Sequence, residues 1–433
     1  MAKGSQQREM RTLVVTLGQL RAHQVTWANF KEKVLDQLSG DLAVCVGADD
    51  HLDIANPFYR NARYRWVVPV QAALPRLFDR IQALLGVTMD WRMLGDIPGT
   101  WLGRVMREEK PPGVAMPYLL RWFMLDNIRA AGLDYVYDRF VVTRSDYFYL
   151  CPHPPLECLE IDKLWLPDGE DYGGLMDKHL VVSAAQLRRS CNLLDEILGK
   201  PDRMRNAMAD SPSWNIEQAI HLHLETNGLL TKIRRFPYVM CLVRSPDDPT
   251  DRTAGTYIPD LGITIRYPSE FNEASRYREL LDTNEKWKRY FASAADGDRR
   301  PARLFTTHGT VFYLDETSGE VRHGPVGGSS RNLLFHWRDG SGEIVHHPKE
   351  GGETVIVVDP ATAGLRVSRV GLPVTFELVP IAKGFGIDQT LMTNNLVGLR
   401  ANGVFLCAQE DGSVRLDRPH CYMWEHFRIV PAS

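Results

Sequence analysis

The sequence predicts an α/β domain over residues 1–295 followed by an all-β domain over residues 301–433. Three observations carry this. β-branched runs alternate with helix-period runs through the first part of the chain. The character changes at DGDRRP, Asp296 to Pro301. Beyond it, short strand-like runs recur between Gly, Asp and Asn turns with no long amphipathic helix.

The first domain opens with the run RTLVVTL, Arg11 to Leu17, a strand. Thr26 is placed to cap a helix carrying Trp27, Phe30, Val34 and Leu38 at helical spacing. LAVCVGA, Leu42 to Ala48, is a second buried strand. Leu77, Phe78, Ile81, Leu84 and Leu85 form a helical stripe ending at Gly86. A helix follows from Pro117 to Gly132, then a strand from Phe140 to Thr143. Further strands are expected over Ile161–Leu166 and Lys178–Ser183, and helices over Ala184–Leu198 and Asn215–Thr226.

The second domain carries an internal echo. GTVFYLDETSGEVR from Gly309 matches GVFLCAQEDGSVR from Gly403 with one gap, each reading as strand, Gly turn, strand. A middle unit from Thr354 to Phe376 fits less closely. Three such units over ~130 residues predict a β-trefoil-like barrel.

Length and composition agree with two or three globular domains: 433 residues, 44% hydrophobic and 24% charged. A net charge of -3 supplies no field to gather nucleic acid or an anionic membrane. No apolar stretch reaches ~18 residues, so neither a signal peptide nor a membrane span is expected. Seven irregularly spaced cysteines, several of them inside apolar runs, predict free thiols in a reducing, cytoplasmic setting.

Three segments carry chemistry. In RFVVTRSDYFYL a strand runs into Arg144-Ser145-Asp146. Ligands of α/β sheets sit outside the carboxyl ends of strands. An Asp there suits a divalent metal, and an Arg suits a phosphate directly. The alternative is a structural Arg–Asp pair closing a strand. The loop WLPDGEDYGGLMDKHLVVS places Asp168, Glu170, Asp171, Asp177 and His179 within twelve residues, among glycines that permit close backbone approach. In PSWNIEQ, Ser213 is placed to cap a helix with Glu217 in its first turn. The helix dipole explains a Glu there, and so does a base for an acceptor hydroxyl. Arg121, within the aromatic run YLLRWF, is a further phosphate candidate. Cys151, His153 and Cys158 lack a matching second pair and make only a weak zinc pattern.

Taken together, VVTLGQLRAHQVTWANF, YDRFVVTRSDYFYL, WLPDGEDYGGLMDKHLVVS, WNIEQ and FPYVMCLVR resemble a bacterial and giant-virus group of GT-A type glycosyltransferases, over most of residues 11–244. The closing unit, FLCAQEDGSVRLDRPHCYMWEHFRIV, resembles the repeats of fascin-like β-trefoils. The first resemblance implies a Rossmann-like nucleotide-sugar domain, a uridine diphosphate sugar as donor and a glycan acceptor. Leu17, Gln19, Arg21, Asp49, Arg121, Arg144 and Asp171 would face the nucleotide-sugar. Asp146 would hold manganese or magnesium, and Asp177, His179 and Glu217 would form the catalytic group. Such enzymes commonly carry Asp-x-Asp after this strand. Arg144 replaces the first Asp, which puts metal dependence in question. Two rival expectations are a non-catalytic carbohydrate-binding protein and a fascin-like scaffold.

Overall fold

The computed structural model describes residues 10–48, 53–69, 74–102, 115–209, 213–244, 255–295, 300–325, 333–338, 341–346, 354–368, 373–380 and 396–431. The chain divides into two compact units, 1–271 and 272–433, upstream of the composition change at Asp296. The first is mixed α/β and the second is all-β apart from its opening helices. Among the described residues, no helix is long and apolar enough to cross a membrane.

The strands of the first unit are β1 (Thr12–Leu17), β2 (Asp41–Ala48), β3 (Tyr64–Pro69), β4 (Arg139–Thr143), β5 (Tyr147–Tyr149), β6 (Leu164–Pro167), β7 (Leu180–Ser183), β8 (Ile233–Phe236), β9 (Met240–Arg244), β10 (Thr256–Ile258) and β11 (Ile263–Ile265). Its helices are α1 (His23–Phe30), α2 (Pro57–Asn61), α3 (Leu74–Leu84), α4 (Ala115–Ala130), α5 (Ala184–Cys191), α6 (Leu193–Gly199), α7 (Pro201–Met208) and α8 (Ile216–Thr226).

Seven strands form a mixed sheet in the order β3-β2-β1-β4-β7-β6-β8. β1 pairs in parallel with β2 and β4, β2 with β3, and β6 with β8; β7 runs antiparallel to both its neighbours. β1 and β4 are buried almost throughout, so they read as continuous β-branched runs with no alternation. One face packs against α4, where Leu119, Met124 and Ile128 join Leu13, Val15, Phe140, Val142 and Val182 in a common core. The chain steps outward from β1 to β2 and β3, then crosses back to β4. That reversal makes the carboxyl ends of β1 and β4 a topological switch point, the position at which open α/β sheets bind ligands. The loops leaving β1, β4 and β6, and the approach to β7, all emerge at this edge. A second, antiparallel sheet, β10-β11-β9-β5, begins directly after the β4 turn.

Several boundaries differ from the sequence expectation. α1 starts before Thr26, after Ala22 in a left-handed conformation, and the Thr26 hydroxyl donates to the Ala22 carbonyl from inside the helix. The expected helix Ala184–Leu198 is two, broken at Asn192. α8 is capped by Asn215 and not by Ser213. The Asn215 side chain accepts from the Gln218 N–H, and the Gln218 side chain returns the bond to the Asn215 N–H.

The second unit contains β12 (Arg300–Thr306), β13 (Val311–Asp315), β14 (Glu320–Gly324), β15 (Leu333–Arg338), β16 (Ser341–His346), β17 (Thr354–Val358), β18 (Leu365–Ser368), β19 (Thr375–Pro380), β20 (Leu396–Ala401), β21 (Val404–Ala408), β22 (Val414–Arg418) and β23 (His426–Pro431). Among the described residues, β12, β15, β16, β19, β20 and β23 pair in a closed antiparallel ring. β13–β14, β17–β18 and β21–β22 are hairpins that touch one another through Glu320↔Arg366, Arg322↔Ser413 and Gly364↔Arg415. The internal echo falls on the first and third of these. Both turn on a glycine of positive φ, Gly319 at 71° and Gly412 at 82°.

Candidate functional site

The site is built where β1, β4 and β6 end. β1 stops at Gly18, whose φ of 98° turns the chain while its N–H donates to the Cys45 carbonyl. Leu17 is partly buried and packs against the core. Arg21 folds back onto Gln19, its guanidinium donating to the Gln19 side-chain oxygen. The Ser145 hydroxyl donates to the Gln19 carbonyl at 3.2 Å, which ties the loops after β1 and β4 together.

Arg144 and Asp146 form a two-pronged pair. Arg144 Nε donates to Oδ1 at 2.8 Å and Nη2 to Oδ2 at 2.6 Å. Asp146 is 6% exposed, whereas about a third of the Arg144 side chain meets solvent. Burial alone raises the Asp146 pKa, but Arg144 and then Arg21 outweigh it and hold the carboxylate ionised. Burial likewise lowers Arg144, and Asp146 reverses the sign.

The loop from β6 to β7 is tightly wound. Glu170 and Tyr172 adopt positive φ, 55° and 42°, a cost of about 1–3 kcal/mol each for side-chain-bearing residues. Two internal devices hold it. Asp171, 0% exposed, accepts from Arg235 Nη2 with both carboxylate oxygens, at 2.9 and 2.8 Å, and from the Met176 N–H at 3.0 Å. Glu170, equally buried, accepts from Lys178, from the Tyr238 hydroxyl and, at 3.3 Å, from Tyr147. Burial raises Glu170, but Lys178 leads the groups that bring it below the ordinary range. Glu270, in the helix Pro268–Tyr277, lies against it and is kept protonated by burial and by the Glu170 charge.

The same loop sits on the first turn of α8. Gly174 lies so close that a Cβ there would be 2.1 Å from the Glu217 carbonyl carbon and oxygen. The Leu175 N–H donates to the Glu217 carbonyl at 3.0 Å, and Asn215 Nδ2 donates to the Tyr172 carbonyl at 2.8 Å. Gly174→Ala therefore drives a methyl into backbone that cannot swing aside. It is expected to destabilise the first unit by about 3 kcal/mol or more, read as a lowered urea midpoint; wild-type stability would contradict the contact.

Glu217 is 7% exposed, and its pKa is raised to about 7, first by burial and then by the charge of Asp177. Asp177 is the junction of the site. Its charge also acts on Arg144 and on Lys178, and its carbonyl accepts from Arg121, which is buried on α4. Asp146, Asp177, Glu217, Arg121 and Arg144 thus come to one edge. His179 points away into the core, where Nδ1 meets the Thr143 hydroxyl at 3.0 Å and the Tyr149 hydroxyl at 3.4 Å. Burial, and then His153, hold this imidazole neutral. Asp49 lies outside the described residues. Lys178, Arg235, Tyr147 and Tyr238 were not singled out by the sequence. Lys178 had a signal, since it stands between Asp177 and His179 in the loop. Arg235 had none beyond its pairing with Arg234. Among the described residues, no group of three His, Cys, Asp or Glu side chains is placed to hold a metal.

No protein-family model matches the chain, and no curated protein does. Solved structures share partial likeness, among them these two. The GlcNAcα1-4Gal-releasing endo-β-galactosidase from Clostridium perfringens aligns at 12% identity and a TM-score of 0.24 over 31% of this chain. The chain spans about a third, 33%, of that enzyme's length. SeviL bound to asialo-GM1 saccharide aligns at 8% identity and a TM-score of 0.23, over 31% of this chain and 99% of the other. At these TM-scores neither likeness bears on fold or function.

Proposed function

We propose that the chain is a glycosyltransferase that moves a sugar from a nucleotide-sugar, a uridine diphosphate sugar first, to a hydroxyl of a glycan or similar acceptor. One observation carries this reading: the Arg144–Asp146 turn, with Arg21 of the loop after β1 beside it, shares a sheet edge with a buried carboxyl, Glu217, whose pKa is raised to about 7. A base poised near neutral pH is the form acid–base chemistry calls for. In this reading the first unit is a GT-A-like, Rossmann-like domain. The reversal of strand order between β1 and β4 supports it, being the position at which such sheets bind nucleotides. The second unit is a β-trefoil-like, fascin-like module, supported by the closed ring of six strands and the three mutually touching hairpins. The free cysteines support a cytoplasmic setting.

The chemistry follows from the placements. Glu217, with Asp177 beside it, takes the proton from the acceptor hydroxyl. The acceptor oxygen attacks the anomeric carbon of the donor. The bond from that carbon to the diphosphate breaks, and its electron pair leaves on a phosphate oxygen. Arg144 and Arg21 face the charge that develops there. Leu17 and Gln19 border the nucleotide. Arg121 fixes the Asp177 backbone, Asp171 braces the loop through Arg235, and His179 holds the end of β4 through Thr143. A base on the acceptor side favours inversion. A resident divalent metal does not fit the donor set, because Arg144 already holds both oxygens of Asp146. The reading gives the metal's charge to Arg144.

A thermal-shift panel of nucleotides and nucleotide-sugars, each with and without manganese, tests the proposal. A donor at 100 times its Kd adds about 2.7 kcal/mol to stability. The expected result is a raised midpoint with a uridine diphosphate sugar that manganese does not alter. No shift with any nucleotide sinks the enzyme reading. A non-catalytic carbohydrate-binding protein is the second reading, favoured by Arg144 at the place of a carboxylate. It predicts glycan binding without donor turnover.

A further inference from the structure

A cavity of about 490 Å³ opens in the second unit, lined by Arg418, Pro419, His420, Tyr422, Trp424 and Glu425. It lies where the chain passes from β22 to β23. Two of its aromatic side chains are left in solvent, Tyr422 at 70% and Trp424 at 36% exposure. Large exposed rings are ordinary when single. Here they are held in place.

The Glu425 carboxylate is turned inward and accepts the Tyr422 N–H at 2.8 Å, while the Glu425 N–H donates to the Tyr422 carbonyl at 3.1 Å. The turn that carries both rings is therefore closed on itself. Trp424 is backed by His308, with ring centroids 5.9 Å apart. His308 stacks on His323 at 5.6 Å and 12°. His323 is fixed in turn by Thr310 at 2.7 Å and by the Gln409 carbonyl at 2.6 Å. Tyr422 has the His420 ring at 6.0 Å, nearly perpendicular. The order in which these rings stand has been set before any ligand arrives, which lowers the entropy lost on binding.

Polar groups converge on the same hollow. Arg418 Nε sits 3.4 Å from Asp417 and 4.0 Å from Glu425, with its side chain 42% exposed. The cavity thus offers apolar ring faces beside a fork of donors and a carboxylate whose charges cancel. A phosphorylated ligand calls for several cations. A quaternary ammonium calls for aromatic rings without a neighbouring cation. A neutral ligand with one apolar face and a rim of hydroxyls meets both halves of this lining.

We infer that this cavity is a saccharide-binding site, taking a neutral sugar ring against Trp424 and Tyr422 with Arg418 and His420 at its hydroxyls. It is separate from the sheet-edge site in the first unit, and it holds whether or not that site transfers sugar.

Saturation-transfer NMR on the full chain, with methyl β-galactoside, lactose and N-acetylglucosamine as probes and choline as a cationic control, tests this. At least one sugar is expected to bind. Trp424→Ala and Tyr422→Ala should each weaken it about tenfold or more, with thermal midpoints unchanged for such exposed positions. If Trp424→Ala disturbs folding, Tyr422→Ala decides alone. The inference is overturned if no sugar binds, if choline binds in their place, or if both variants keep wild-type affinity. Sugar binding lost in Arg144→Met and kept in Trp424→Ala would assign it to the first unit and overturn the inference equally.

Discussion

Glu217→Gln is expected to lower kcat for sugar transfer by about 10²- to 10⁴-fold, the range that general-base catalysis contributes, with little change in donor affinity. The wild-type rate should rise with pH through a midpoint near 7, because the base works only when ionised. In the variant that arm disappears. Steady-state kinetics across pH reads both effects, and an unchanged profile would remove Glu217 as the base. Stability moves the other way. The folded-state pKa lies above the ordinary 4.5, so the native state holds this proton more tightly than the unfolded chain. The stabilisation is complete below pH 4.5 and is lost as pH rises to about 7. Each tenfold gain in proton affinity is worth about 1.4 kcal/mol, so the loss is on the order of 3 kcal/mol. Glu217→Gln carries no such proton. It should unfold at higher urea than wild type above pH 7, while losing nearly all activity.

The second large effect concerns Arg144. In Arg144→Met the donor loses its main cation, and affinity should fall about 100-fold, or roughly 3 kcal/mol. Asp146 is also stranded, buried without its principal partner, which lowers stability by a similar amount. Adding Asp146→Asn relieves the second effect and leaves the first. Arg144→Asp goes further by restoring two carboxylates two residues apart. Donor binding by this variant should be absent in chelator and return with manganese, as measured by calorimetry. Manganese dependence already present in the wild type, or none in Arg144→Asp, would overturn the assignment of the diphosphate to Arg144.

The strands that build the site were legible because they are buried on both faces. β1, β2, β4 and β7 leave unbroken apolar runs that few other structures produce. β5 is three residues long and depends on β9, far along the chain, so local pattern gave no sign of the second sheet. Helix starts failed where local chemistry offered two caps. Thr26 and Ser213 both have a capping side chain, but the chain enters α1 through a left-handed turn at Ala22 with no side-chain cap, and Asn215 has both the extended backbone and the capping amide. Within the acidic loop the sequence could show a dense set of titratable groups but not their duties. Asp171 and Asp177 look alike in one dimension. What separates them is Arg235, brought back by β8, which takes Asp171 for bracing. His179 and Lys178 divide in the same way: one turns to Thr143, the other to Glu170.

The seam between Gly174 and α8 has a mechanical consequence. Three attachments bind the acidic loop to the first turn of that helix: the bare glycine contact, the Leu175 N–H and the Asn215 amide. Neither part can slide without carrying the other. The seam thus couples the position of the loop that carries Asp177 to the helix start that carries Glu217. The acidity of Glu217, set first by its burial and then by the charge of Asp177, therefore rests on this seam being intact.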